Sequence, residues 1–250
     1  MPFLKFLRRV AACRMLALAA CALPLSCLAA SFSVSPIRAD LKPGVLSETI
    51  TVTNDSPARL RVLVKLVEWT QDETGKDVYT ESADLVYFPR QMDIEPGAKR
   101  LVRVGAKAPA QGSERAYRLF IEEVPSPSAG GPTAVSFYFR FGVPVFVTPG
   151  GAAAKPEIAQ PKLAKGKLSL AVSNPGSQHF RAARVNFTDN AGWSRDVNGW
   201  YSLSGTARTY QVDVPPEVCR RTRKFSVTVE GAEDNIKYER SLDVDPAACS

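Results

Sequence analysis

One histidine in 250 residues, no stretch beyond residue 30 with a sustained helical period, and no glycine-rich loop opening a helix are the first scarcities of this sequence. His179 follows the turn-forming Asn174-Pro175-Gly176 in polar surroundings, so it is expected to be a solvent-exposed loop residue, without a catalytic or metal-binding role. A Ser-His-Asp triad or a Cys/His zinc site then has no material to build on. Carboxylates sit close together at Glu122-Glu123 and at Asp243 and Asp245, but alternation along a strand sends Glu122 and Glu123 to opposite faces, and all four are expected to be solvated. The missing glycine fingerprint excludes the common nucleotide-binding loops, and no C-x-x-C redox motif is present. The basic cluster Arg220, Arg221, Arg223 and Lys224 lacks interleaved aromatic residues, so it reads as a solvated loop and strand start and not as a nucleic-acid surface. These absences point away from an enzyme, from metals and cofactors, and from nucleic acid or a small-molecule substrate.

Long apolar runs are scarce too. The one that stands out, Met15 to Leu28, follows Lys5, Arg8, Arg9 and Arg14 and closes on Ala29 and Ala30. A basic start, a short apolar stretch and a small-residue exit describe a secretory signal peptide over residues 1–30, cleaved near Ala30, and the run is short for a membrane span. Leu18-Ala19-Ala20-Cys21 offers the alternative of a lipoprotein box with a lipidated Cys21, although Arg14 leaves that apolar region very short. Arg8-Arg9 raises twin-arginine export with little around it in support. Cleavage takes away four positive charges and lowers the formal net charge from +7 to +3. It also removes Cys13, Cys21 and Cys27, leaving Cys219 and Cys249. In an oxidising compartment such a pair is most simply a disulfide closing the last strands, the alternative being two free thiols.

What remains is rich in short alternating segments separated by turn formers. Leu60, Val62, Val64 and Leu66 alternate with Arg61, Leu63 and Lys65, which predicts a half-buried strand, and similar strands are expected at Glu48 to Thr53, Lys99 to Val104, Tyr117 to Val124, Leu168 to Ser173, Arg184 to Thr188 and Lys224 to Val229. Ser31 to Leu41 is expected as one extended edge segment, demoted to an edge by Pro36. Thr148-Pro149-Gly150-Gly151-Ala152-Ala153-Ala154-Lys155-Pro156 is small and turn-rich and is the best domain boundary. The expected organisation is all-β: a domain over 31–148, a hinge over 149–156 and a second β-sandwich over 157–250, each of about seven strands.

The longest alternating stretch is Ala134 to Val147, with Val135, Phe137, Phe139, Phe141, Val143, Val145 and Val147 on every odd position. Pro144 has no N–H for a ladder and places the strand at a sheet edge. An apolar edge of that length invites another chain to pair with it, so it is either shielded or used.

Three segments carry a family resemblance: Ile94-Glu95-Pro96-Gly97-Ala98-Lys99-Arg100-Leu101-Val102-Arg103-Val104, Glu114-Arg115-Ala116-Tyr117-Arg118-Leu119-Phe120-Ile121-Glu122-Glu123-Val124-Pro125, and Val145-Phe146-Val147-Thr148-Pro149. With Leu170-Ala171-Val172-Ser173-Asn174-Pro175 farther on, the order resembles the periplasmic chaperones of chaperone–usher pilus assembly, the PapD-like family. The resemblance implies two immunoglobulin-like domains joined at an angle, pilus subunits and an outer-membrane usher as partners, and an edge strand donated to the subunit. It places Arg38 on the arginine that grips the subunit's terminal carboxylate, and Val135, Phe137 and Phe139 on the residues that fill the subunit's groove, with Phe141 and Val143 lengthening the contact. The family's second anchor, a lysine, falls on Pro144, and Arg140 is the nearest base on the strand that could replace it. This departure looks like the archaic, spore-coat-U-type branch. Self-association could cap the edge in the free protein. A structural or adhesive two-domain surface protein is the alternative from a different class.

Overall fold

A computed structural model describes residues 32–124, 138–189, 191–233, 236–245 and 249. Its first ten strands are β1 (Phe32–Ser35), β2 (Ala39–Leu41), β3 (Ser47–Asn54), β4 (Leu60–Gln71), β5 (Asp77–Glu81), β6 (Leu85–Phe88), β7 (Gln91–Ile94), β8 (Lys99–Ala106), β9 (Arg115–Glu123) and β10 (Arg140–Val147). One sheet runs β1-β3-β8-β6; the other runs β2-β10-β9-β4, with β5 and β7 both paired to β4. Period-two alternation drives this arrangement. On β4, Leu60, Val62, Val64 and Leu66 are buried while Arg61 and Lys65 face water, and they meet Ile50, Val52, Val102 and Val104 from the facing sheet. Tyr117, Leu119 and Ile121 of β9 and Val143, Val145 and Val147 of β10 complete this core. Each such aliphatic or aromatic side chain contributes about 1.5–3 kcal/mol on burial.

The segment expected as one extended opening is divided between the sheets. β1 pairs antiparallel with β3, and β2 pairs parallel with β10, the chain crossing over at Pro36, Ile37 and Arg38. Phe32 and Val34 reach the core from one sheet, Ala39 and Leu41 from the other. The strand expected over 134–147 is described from Arg140 to Val147, and Val135 and Phe137 lie outside the described residues.

The later strands are β11 (Glu157–Ile158), β12 (Lys162–Ala164), β13 (Lys167–Asn174), β14 (Phe180–Asp189), β15 (Ser194–Asn198), β16 (Tyr201–Ser202), β17 (Thr206–Asp213), β18 (Lys224–Gly231) and β19 (Lys237–Asp243). β13 pairs with β17 along its length and with β11 and β12 on its other side; the facing sheet runs β15-β14-β18-β19, with β16 also on β14. Leu168, Leu170, Val172, Val185, Phe187, Phe225, Val227 and Val229 form a second core.

The basic cluster is not a plain loop. A short helix α1 (Pro216–Arg221) precedes β18 and turns Val218 and Cys219 into the second core. Cys219 is bonded to Cys249, with their Cα atoms 5.8 Å apart. Turn asparagines close both sandwiches: buried Asn54 donates to the carbonyls of Ala58 and Ile94, and buried Asn174 to those of Gln178 and Ser202. The bonds to Ile94 and Ser202 are buried, where a polar group without a partner is costly.

Candidate functional site

β10 has two different halves. Val145, Phe146 and Val147 lie between β9 and β2, whereas Arg140 to Pro144 pair with β9 alone among the described residues. The alternation of backbone directions then identifies what the open half offers. The N–H of Glu123 donates to the carbonyl of Phe139 at 3.0 Å, so Phe139, Phe141 and Val143 direct their backbone groups to β9. Arg140 and Gly142 direct theirs the other way, to the free edge, and Pro144 has a carbonyl but no N–H to give.

The odd-numbered side chains of β10 face the first core. Val143 is 3 % exposed and part of that core, while Phe139 and Phe141 are half-buried against it, Phe141 edge-on to Phe32 with ring centroids 4.9 Å apart. The even-numbered residues lie on the outer face of the sheet. Arg140 is there, stacked over Phe120 and paired with Glu122 at 2.9 Å, and Glu122 also binds Lys65. Glu122, expected to be solvated, is thus half-buried between two cations.

Arg38 stands just before β2, level with Pro144 in the register that pairs Ala39 with Val145. Its Nε donates to Asp40 at 2.8 Å and its Nη1 to Glu233. Burial works against the charge of Arg38, but the bonds to Glu233 and Asp40 more than offset it and raise its pKa. Burial would likewise raise the pKa of Glu233; the hydrogen bond and charge of Arg38, aided by His179, hold it below the ordinary carboxylate range.

This outer face is also where the two sandwiches meet. Trp69, Ala116 and Phe146 from the first are buried with Tyr201 and Leu203 from the second. Gln71 reaches across, donating to the carbonyl of Tyr201 and accepting from the N–H of Leu203 and the hydroxyl of Thr206. Gly75 has a positive φ and lies so close to β17 that a Cβ would fall 2.4 Å from the carbonyl oxygen of Ala207. His179 belongs to this interface, correcting the expectation of an exposed loop residue. It is 3 % exposed, stacks on Phe146 at 3.8 Å, and its Nδ1–H donates to Glu114 at 2.6 Å. Glu114 also accepts from the backbone N–H of His179 and from Thr148. Local polarity around a turn cannot reveal that a second domain covers it.

Arg118, which its sequence context did not single out, is directly across from Pro144 on β9. It is 6 % exposed, lies 3.9 Å from the centre of the Trp69 ring, and donates through Nη1 to the carbonyl of Gly142 at 2.9 Å. Its Nε and Nη2 are buried without a hydrogen-bond partner. Among the described residues, no group of three or more His, Cys, Asp or Glu side chains could hold a metal ion. What the face can do chemically is accept an added strand along 140–144 and hold an anion beside it.

The family model for pili and flagellar-assembly chaperones, PapD N-terminal domain, matches residues 31–153. No curated protein matches the chain. Among solved structures, a chain of the CsuC-CsuE chaperone–tip adhesion subunit pre-assembly complex from archaic chaperone-usher Csu pili of Acinetobacter baumannii is similar over 85 % of this chain and 98 % of its own, with 19 % identity and a TM-score of 0.63. The CupB2 chaperone of Pseudomonas aeruginosa is similar over 85 % of this chain and 100 % of its own, at 18 % identity and a TM-score of 0.55. A chain of the Salmonella enterica complex of SafA pilin with the SafB chaperone is similar over 88 % and 99 %, at 13 % identity and a TM-score of 0.55. At these identities the likeness is one of fold: two immunoglobulin-like β-sandwiches.

Proposed function

Because the chain belongs to the PapD-like family of pilus-assembly chaperones, we propose that it binds pilus or fimbrial subunits in the bacterial periplasm by lending them an edge strand, and passes them to an outer-membrane usher. The observation that carries this reading is the half-open strand β10, whose residues Arg140 to Pro144 have a neighbour on one side only among the described residues. Strand addition there would draw affinity from backbone hydrogen bonds and selectivity from alternate side chains. Phe139 and Phe141, half-buried at the open end of the core, are the groove-filling side chains in this reading, with Val135 and Phe137 continuing the same alternation. Val143 supports the strand from inside the chaperone's own core. Arg38 is the anchor for the subunit's terminal carboxylate, because its planar fork can meet a carboxylate with two charge-assisted hydrogen bonds. The free protein keeps that fork occupied by Asp40 and Glu233, so an arriving carboxylate competes with two that are already present.

The test is co-expression of the affinity-tagged protein with the pilus subunit encoded in the same operon, both with their export signals. The expected result is a soluble complex of one chaperone and one subunit recovered from the periplasm. Equal amounts of soluble subunit with and without the chaperone, and no complex, would refute the reading.

A further inference from the structure

One buried titratable side chain near Arg38 has no part in strand addition. His179, the chain's single histidine, lies just ahead of β14 with 1 % of its side chain exposed. Glu114 takes its Nδ1–H, so in the neutral ring the proton is off Nε2. Among the described residues Nε2 is buried without a hydrogen-bond partner. It faces Oε1 of Glu233 at 3.6 Å, and that same oxygen accepts from Nη1 of Arg38. One carboxylate oxygen therefore stands between two nitrogens, bonded to the first and just beyond hydrogen-bond reach of the second.

The groups around the ring come from both sandwiches. Glu114, ahead of β9, lies at Nδ1 and also accepts from the hydroxyl of Thr148, just past β10. Glu233, after β18, lies at Nε2, with Arg38 and Asp40 behind it at the start of β2. β16 presents the Tyr201 ring at 5.4 Å, with the guanidiniums of Arg118 and Arg181 near the faces of that ring at 6.0 and 5.5 Å. β10 supplies the stacked ring of Phe146. In the free protein the charge of Arg38 offsets that of Glu233. A carboxylate that settles on Arg38 cancels this offset, and it also loosens Glu233 from the guanidinium. Both changes favour a positive ring. Glu233 has less than about 1 Å to travel to accept from Nε2–H at ordinary distance. An imidazolium between Glu114 and Glu233 has both of its N–H groups paired, whereas the neutral ring leaves Nε2 buried and alone.

We infer that Glu233 is handed from Arg38 to His179 when a subunit's carboxylate reaches Arg38, and that Nε2 takes up a proton from solvent in the same step. The inference rests on Arg38 receiving that carboxylate, and adds how its arrival is felt beyond the anchor: the released carboxylate lands on the ring that packs against Phe146, where the two sandwiches meet. Because the bound form holds one more proton than the free form, binding strengthens as pH falls through the range in which the ring titrates. Histidine is the side chain whose charge ordinarily changes between about pH 5 and 8.

Labelling histidine alone with nitrogen-15, in protein carrying a histidine-free affinity tag, gives the imidazole signals of one ring. The probe is an unlabelled synthetic peptide carrying the C-terminal strand of the operon's subunit as the free acid. Its addition near neutral pH is expected to move the Nε2 signal toward the imidazolium position. Calorimetry in buffers of different ionisation enthalpy is expected to show up to about one proton taken up per peptide bound, and the affinity to rise by up to about tenfold for each pH unit lowered across the titration. In Glu233→Gln the peptide still binds, while the proton uptake and the pH dependence fall away. If the peptide binds with an unchanged imidazole signal and no uptake, the hand-off is overturned; it is overturned equally if Glu233→Gln keeps the full uptake. If the unaltered protein does not bind the peptide, or Arg38→Ala binds it as well, the reading of Arg38 as anchor has failed and the inference with it.

Discussion

Replacing both Cys219 and Cys249 by Ala is expected to lower the stability of the protein by about 3–4 kcal/mol, the chain-entropy value for a loop of this length. The two cysteines are 30 residues apart, and their bond ties α1 to the end of the chain beyond β19. Cys219 is 1 % exposed and packs with Val218 in the second core, so the smaller side chain also leaves a void. Among the described residues β19 is the outermost strand of its sheet, paired with β18 alone, and would be the first to separate. Equilibrium unfolding in denaturant, with the oxidised protein as reference, measures the loss. An unchanged midpoint would mean that packing alone secures the last strand.

Arg38→Ala should reduce recovery of co-expressed subunit at least tenfold. Charge-assisted hydrogen bonds contribute about 1.5–3 kcal/mol each, and 1.4 kcal/mol is a factor of ten in affinity. The effect is smaller than two such bonds would give, because Asp40 and Glu233 occupy the same fork beforehand. The substitution also removes the Arg38–Glu233 ion pair, and Glu233→Gln separates the two consequences. If Arg38 acts by anchoring the subunit, Glu233→Gln leaves recovery unchanged or raises it, since a competitor has been weakened. If the pair matters only for holding the sandwiches together, the two variants should lose recovery alike.

Much of the fold was legible because period-two alternation is a local signal. β4, β9, β13 and β18 are found where Leu60, Tyr117, Leu168 and Lys224 open alternating runs, and Cys219 and Cys249, the pair expected to be bridged, are bonded to each other. The features that were missed depend on contacts between distant segments. Phe32 and Leu41 belong to different sheets because the chain changes partner near Pro36, and only the strands that receive each half determine that. His179 looks like a loop residue until Phe146 and Glu114 close over it. Arg118 lies between apolar neighbours that alternate correctly with or without it. Its position opposite Pro144 comes from the antiparallel register, which alternation within one strand does not fix. Arg38 and Pro144 stood out through the family resemblance and not through alternation, and the antiparallel register sets Arg118 across from that proline.

The most direct measurement of the central claim is amide hydrogen exchange along β10, residue by residue, in the free chaperone and in its complex with a subunit. Phe141 and Val143 already direct their N–H groups to β9, and Arg140 and Gly142 direct theirs to the open edge. Strand addition predicts a large slowing of exchange at Arg140 and Gly142 on binding, with Phe141 and Val143 protected in both states. A stable complex in which Arg140 and Gly142 exchange as fast as in the free protein would contradict it.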